Sequence, residues 1–160
     1  MLKAVRYLGP VGLGVTSPRL FLADDGRVYV VKMQQNHLGP KILVNELIAA
    51  RLGNLTDLCF PPGDIIFIQP REVFHHHKIH AAARPGYHFA SLFLAGSRYV
   101  TQGNLPRAVN KRQMAGVVLF DHLFHNVDRT QNYKNLLIRR EEQGYRMYAI
   151  DHSHLFLRGR

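Results

Sequence analysis

The sequence predicts a mixed α+β fold, and three features carry that expectation. Short apolar, strand-like segments dominate the N-terminal part. Helical periodicity enters among them at 41–53 and returns at 111–125. Two further apolar segments then flank the turn EEQG near the C-terminus. Leading strands with a late second helix favour α+β over a regular βαβ wind.

The elements follow in order. AVRYL (4–8) and RLFLA (19–23) alternate as strands do and are separated by the loop GPVGLGVTSP. Asp24–Asp25–Gly26 is a turn signal, and VYVVKM (28–33) is the next strand. KILVNELIAARLG (41–53) reads as a helix, with Pro40 at its start and Gly53 as C-cap. DIIFIQ (64–69) is a further apolar strand, whereas 70–105 gives no regular reading. KRQMAGVVLFDHLFH (111–125) is the second helix, and NLLIRR with YRMYAID forms a hairpin around EEQG.

Composition bounds the function. With 160 residues and 46% apolar content, the chain can build one compact domain or two small lobes and is too apolar for disorder. It contains no apolar run of about eighteen residues, so no membrane span is expected. The start, MLKAVRYLGP, lacks the long apolar segment of a secretory signal, which points to a cytoplasmic protein. One cysteine, Cys59, leaves no internal disulfide and no cysteine zinc cluster, and LCF around it reads as core. The net charge of +10 favours an anionic partner without choosing one. The basic residues are spread out, so nucleic acid is admitted but not favoured.

Four stretches carry chemistry. In the loop 9–18, Gly12 and Gly14 allow backbone amides to approach phosphate, and Thr16 and Ser17 add donors. Ordinary hairpin loops use glycine too, and no GK[ST] makes this a Walker loop. Lys32 lies in an apolar strand. Glu46 has Ile42 and Leu43 one turn before it and Ala49 and Ala50 one turn after, inside the apolar helix face. A buried carboxylate requires a partner, so a Lys32–Glu46 ion pair aiming the lysine at phosphate competes with a snorkelling lysine and a helix-edge glutamate.

The third stretch is DHLFHNVDRTQNYKNLLI (121–138). Asp128 is suited to accept the proton of an attacking hydroxyl, an amide a few residues on to hold a metal, and Arg129 to orient the loop or neutralise charge. Asp and Asn also simply cap turns. The fourth is Asp151, closing the apolar strand MYAID, where a carboxylate can bind a divalent cation. His122, His125, His152 and His154, and the run His75, His76, His77 and His80, lack a fixed ligand set and are assigned no zinc.

Glycine loop, strand lysine, helix glutamate, Asp–Asn loop and strand-end Asp come in the order of the protein-kinase-like fold. With VNELIAARL, PGYHFAS, FDHLFHNVDRTQNYKNLLI and AIDHSHLF, the chain most resembles the HipA-like kinases, particularly their small bacterial members. The DR…N…ID pattern is also similar to that of phosphatidylinositol kinases. The resemblance implies an N-terminal antiparallel sheet with one helix over about 1–69, a hinge and connection over 70–110, and a short, truncated C-terminal lobe over 111–160. It implies ATP and Mg²⁺ as cofactors. Lys32 would contact the α/β-phosphates with Glu46 as its ion pair, the loop with Gly12, Gly14, Thr16 and Ser17 would cover the phosphates, and the segment after Ile68 would sit beside adenine. Asp128 would be the base and Asp151 the main Mg²⁺ ligand. Asn135, which directly precedes the strand, would be the metal-binding amide, with Asn132 as the alternative.

The leading expectation is therefore γ-phosphoryl transfer from ATP to a hydroxyl of a protein Ser/Thr or a small molecule. A non-catalytic nucleotide- or partner-binding regulatory module is the alternative, favoured by the nine residues that follow Asp151. A basic nucleic-acid-binding protein is the third reading.

Overall fold

The computed structural model describes residues 1–12, 17–36, 38–70 and 85–156. Among the described residues there are eight strands: β1 (Leu2–Pro10), β2 (Arg19–Ala23), β3 (Val28–Lys32), β4 (Gly63–Ile68), β5 (Gly86–Leu92), β6 (Arg98–Tyr99), β7 (Leu136–Glu141) and β8 (Gly144–Ala149). The α-helices lying within the described residues are α1 (Lys41–Leu55), α2 (Lys111–Leu123) and the single turn α3 (Asp128–Gln131). The fold is mixed α+β. The chain divides into two compact units, Met1–Ile48 with Pro62–Phe93, and Ala49–Pro61 with Leu94–Arg160.

In the first unit the strands close on themselves in the order β1-β2-β3-β5-β4. β-Branched and aromatic residues suit them to a pleated surface that is buried on one side. Phe21, Val31, Ile66, Ile68 and Ala90 fill the interior with no exposure; complete burial of a side chain such as Phe21 contributes about 1.5–3 kcal/mol. The β2–β3 turn is held by its own acid. Asp25 accepts from the Arg27 backbone at 3.0 Å and from the Tyr29 hydroxyl at 2.7 Å, and Gly26 adopts φ +77°. The resemblance implies an antiparallel sheet here; the β1–β2, β2–β3, β3–β5 and β4–β5 pairs are antiparallel. The closing pair differs: β1 meets β4 in parallel through Leu2↔Ile66 and Lys3↔Phe67. Closure satisfies edges that an open sheet would leave unpaired.

In the second unit, Ala49, Cys59, Phe60, Val117, Phe120, Ala149 and Leu155 form one core cluster. β6, β7 and β8 make a separate antiparallel sheet, with the β7–β8 hairpin closing at Glu141↔Gly144. Asn110, just ahead of α2, bonds the Met147 backbone in both directions, at 2.9 and 2.8 Å, and so ties the start of that helix to β8. Gly53 is not a C-cap. It lies inside α1, where a Cβ would come within 2.3 Å of the Phe60 ring. The glycine is there to admit an aromatic ring against the helix, a demand that propensity does not register.

Candidate functional site

In the first unit, Lys32 ends β3 and Glu46 lies on α1, only 9% and 4% exposed. Lys32 Nζ donates to Glu46 Oε1 as a salt bridge. The apolar surroundings of both residues make the pair obligatory, because either charge alone would be desolvated without compensation. At the base of the loop between β1 and β2 the Val11 amide donates to the Pro18 carbonyl at 3.0 Å. Gly12 (φ +101°) and Ser17 (φ 47°) both take left-handed backbone conformations. Gly14 and Thr16, and His75, His76, His77 and His80, lie outside the described residues.

In the second unit, Asp128 opens α3 and Asn135 stands directly before β7. The Asn135 amide donates to Asp128 Oδ2 at 2.5 Å, while Asn135 itself is 4% exposed. Asn132 serves another purpose: its side-chain oxygen accepts from the Lys134 backbone at 3.2 Å and caps the 3-10 turn Tyr133–Asn135. Of the two amides, Asn135 is the one in contact with the acid.

Arg129 organises this region. Its Nε donates to Asp121 Oδ2 at 2.6 Å, and its Nη1 donates to the carbonyls of Asn135 and Ile150, each at 2.8 Å. The Ile150 amide also donates to the Asn135 carbonyl at 3.0 Å. One buried guanidinium thus fixes the residue before Asp151 to the residue that touches Asp128. Asp121 accepts from Asn126 Nδ2 as well, at 2.8 Å, so both its oxygens are engaged.

Asp151 follows β8 with φ 59°, in the left-handed region where a non-glycine residue is strained. Its Oδ1 accepts from the Ser153 hydroxyl at 2.7 Å. The histidines after it have separate environments. His152 is buried against Phe60, with ring centroids 4.1 Å apart, as part of the core. His154 places Nδ1 3.9 Å from Asp128 Oδ2.

Sequence reasoning missed Asp121. Its signal was available: it is an acid between Val117, Phe120 and Phe124 on an apolar helix face, the same pattern that singled out Glu46. The sequence offers Arg129 for orienting the loop or neutralising charge, but nothing local indicates which carbonyls it holds.

These features lie within residues 5–158, the span that matches the model of the family described as HipA-like kinase. The chain belongs to the HipA-like kinase family. No curated protein matches it. Membership in the HipA-like kinases supports a kinase-type phosphotransferase and implies a nucleotide ligand. Among the described residues, no helix is long and apolar enough to cross a membrane.

The donor chemistry suits a hard divalent cation. Asn135 donates its amide nitrogen to Asp128, so a cation would meet its amide oxygen, and Asp151 carries a carboxylate. Among the described residues no three His, Cys, Asp or Glu side chains gather as metal ligands. A Mg²⁺ held by one or two protein oxygens together with substrate phosphates and water needs no such group.

Proposed function

We propose that this HipA-like kinase transfers the γ-phosphoryl group of ATP to a hydroxyl with the help of Mg²⁺, and that its two units correspond to the lobes of a protein-kinase-like fold. The observation that carries this reading is the Arg129 clamp. It fixes Asn135 beside Asp128 and fixes Ile150, the neighbour of Asp151, to the same guanidinium. A turn that merely needed capping would not require a buried arginine bound to two carbonyls and a buried acid.

Each residue then has a task. Lys32, held by Glu46, presents an ammonium to the α/β-phosphates, and Gly12 and Ser17 contribute backbone and hydroxyl donors from the loop that includes Gly14 and Thr16. Asp128 receives the proton of the acceptor hydroxyl, and the Asn135 amide orients the carboxylate. Asn135 and Asp151 are the residues that would hold Mg²⁺, with Asn132 confined to its cap. When bound, ATP would supply the phosphoryl group and Mg²⁺ would neutralise charge on its oxygens, leaving mostly position and electrostatics to the protein. The acceptor class is a protein Ser/Thr or a small alcohol.

A second reading keeps nucleotide binding without transfer. The bond between Asn135 and Asp128 favours it, because it ties a metal-binding residue to the base and occupies one carboxylate oxygen. Two measurements separate the readings. Thermal melts with ATP, with and without Mg²⁺, should show a Mg²⁺-dependent rise; a site filled at about a hundred times its Kd stabilises by about 2.7 kcal/mol. Labelled γ-phosphate should then appear on the protein itself, on a generic protein acceptor or on a small alcohol. Binding without any transfer leaves the module reading, and no stabilisation by Mg-ATP removes both.

A further inference from the structure

His154 stands beside Asp128 without a bond to it. Its Nδ1 lies 3.9 Å from Asp128 Oδ2, beyond hydrogen-bond length, and that nitrogen is buried with no hydrogen-bond partner among the described residues. The two side chains are 38% and 29% exposed, and an ion pair that open contributes little to stability. Folding alone does not account for the placement.

The backbone that carries the ring is anchored on both sides. Before it, His152 and Ser153 are buried, and the Ser153 hydroxyl donates to Asp151 Oδ1 at 2.7 Å. After it, Leu155 is fully buried, and the Phe156 amide donates to the Phe124 carbonyl at 2.9 Å. Of residues 152–155, His154 is the one that is not buried. Asp128 is held from a nearby point: Arg129, its neighbour in the chain, bonds the Ile150 carbonyl just ahead of this segment. One clamp therefore governs the spacing of ring and carboxylate.

His154 Nδ1 and the Asn135 amide approach the same oxygen of Asp128, Oδ2. That leaves Oδ1 to meet an acceptor hydroxyl. A carboxylate held by one amide can still turn about that bond, and a second donor on the same oxygen stops the rotation. A neutral imidazole with its proton on Nδ1 is such a donor, and the ring needs no charge. Catalytic hydrogen bonds often tighten only when substrate is in place. Here about 1 Å of approach separates the pair from an ordinary bond length.

We infer that His154 is a positioning residue of the base. With the acceptor bound, it donates Nδ1–H to Asp128 Oδ2 and so fixes Oδ1 as the oxygen that takes the acceptor's proton. This rests on the phosphotransfer reading above. The acceptor oxygen gives its proton to Oδ1 as it bonds to the γ-phosphorus, and the bond to the bridging oxygen breaks with its electron pair left on ADP. In this role His154 acts on turnover through Asp128 and does not hold nucleotide.

Three substitutions test it, at a partly exposed side chain whose replacement should leave the melting temperature in place. Asparagine sets an amide nitrogen where Nδ1 stood, glutamine sets one where Nε2 stood, and leucine keeps bulk without a donor. Transfer of labelled γ-phosphate, to casein or onto the protein itself, should fall about tenfold in kcat for His154→Leu, with KM for ATP unchanged. His154→Asn should restore most of the rate and His154→Gln much less. In an Asp128→Ala background, His154→Leu should add no further loss, because a residue that acts through the base then has nothing to act on. The inference is overturned if His154→Leu transfers as fast as the wild type, or if its loss appears in KM for ATP instead of kcat. Equal impairment by leucine and asparagine, or losses that multiply in the double variant, would overturn it too. A wild type that transfers nothing removes the phosphotransfer reading and this inference with it; a wild type that transfers phosphate with an indifferent His154 removes the inference alone.

Discussion

Arg129 donates to the carbonyl of Ile150, one residue ahead of Asp151, at 2.8 Å. The side chains of Arg129 and Asp121 are 6% and 11% exposed, so this is a desolvated pair and not a surface ion pair. Removing one partner leaves a buried charge uncompensated. Asp121→Asn should therefore lower stability by about 3–5 kcal/mol in a denaturant titration. Arg129→Lys keeps the charge but loses the planar fork that reaches three acceptors. It should raise the Mg²⁺ concentration needed for half-maximal phosphate transfer more than it raises the KM for ATP. An unaltered Mg²⁺ dependence in a folded Arg129→Lys protein would show that the clamp does not position the metal ligands.

Lys32 and Glu46 form the corresponding buried pair of the first unit. Lys32→Ala should abolish most nucleotide binding, whereas Glu46→Gln should weaken it less, because a glutamine still accepts a hydrogen bond from the ammonium. In calorimetric titrations of the single and double variants the effects should be non-additive, since contacting charges couple. Strict additivity would mean that the pair stabilises the fold without presenting the lysine to phosphate.

Much of this arrangement is legible from the residues because it is set locally. RLFLA is a strand at 19–23 as its alternation indicates, and α1 begins at Lys41 immediately after Pro40. Glu46 betrayed its burial through neighbours one turn away on the same helix. The strand β5 was not legible. Its buried residues His88, Phe89 and Ala90 are consecutive, as in a strand packed on both faces, so the alternation that marks a half-buried strand is missing. Barrel closure was hidden for a different reason: Leu2 and Ile66 are paired by topology, and no local pattern encodes a register across that separation. At the site, the acid and amides could be named from their order, but which amide meets the acid depended on a turn. Asn132 is consumed as the cap of that turn, and Asn135 is delivered to Asp128.

The β2–β3 turn has a pH signature of its own. Burial, together with the hydrogen bond to the Asp25 carboxylate, pushes the Tyr29 phenol from its usual 10 up to about 12. A raised folded-state value means the neutral phenol is favoured in the native protein. Its stabilising contribution is complete below pH 10 and is lost as pH rises through about 12. Denaturant midpoints of the wild type should fall over that interval, and those of Tyr29→Phe, which has no proton to lose, should fall less. Equal alkaline sensitivity would place the titrating group elsewhere.

Asp128 separates an enzyme from a binding module. In a loose phosphoryl-transfer transition state the base orients the acceptor hydroxyl and takes its proton late, so it contributes little to holding ATP. Asp128→Ala should leave Mg-ATP affinity nearly unchanged while lowering transfer by about 10²-fold or more. Asn135→Ala should act differently, because it removes the oxygen proposed to hold Mg²⁺ as well as the bond to Asp128; it should weaken binding in the presence of Mg²⁺ and leave Mg²⁺-free binding alone. Asn132→Ala removes a turn cap and should cost stability of about 1 kcal/mol, with a smaller effect on the Mg²⁺-dependent part. Paired calorimetry and γ-phosphate incorporation on the same preparations read all three. Equal transfer by wild type and Asp128→Ala would remove Asp128 as the base. A larger loss of Mg²⁺-dependent binding from Asn132→Ala than from Asn135→Ala would reverse the assignment of the metal-binding amide.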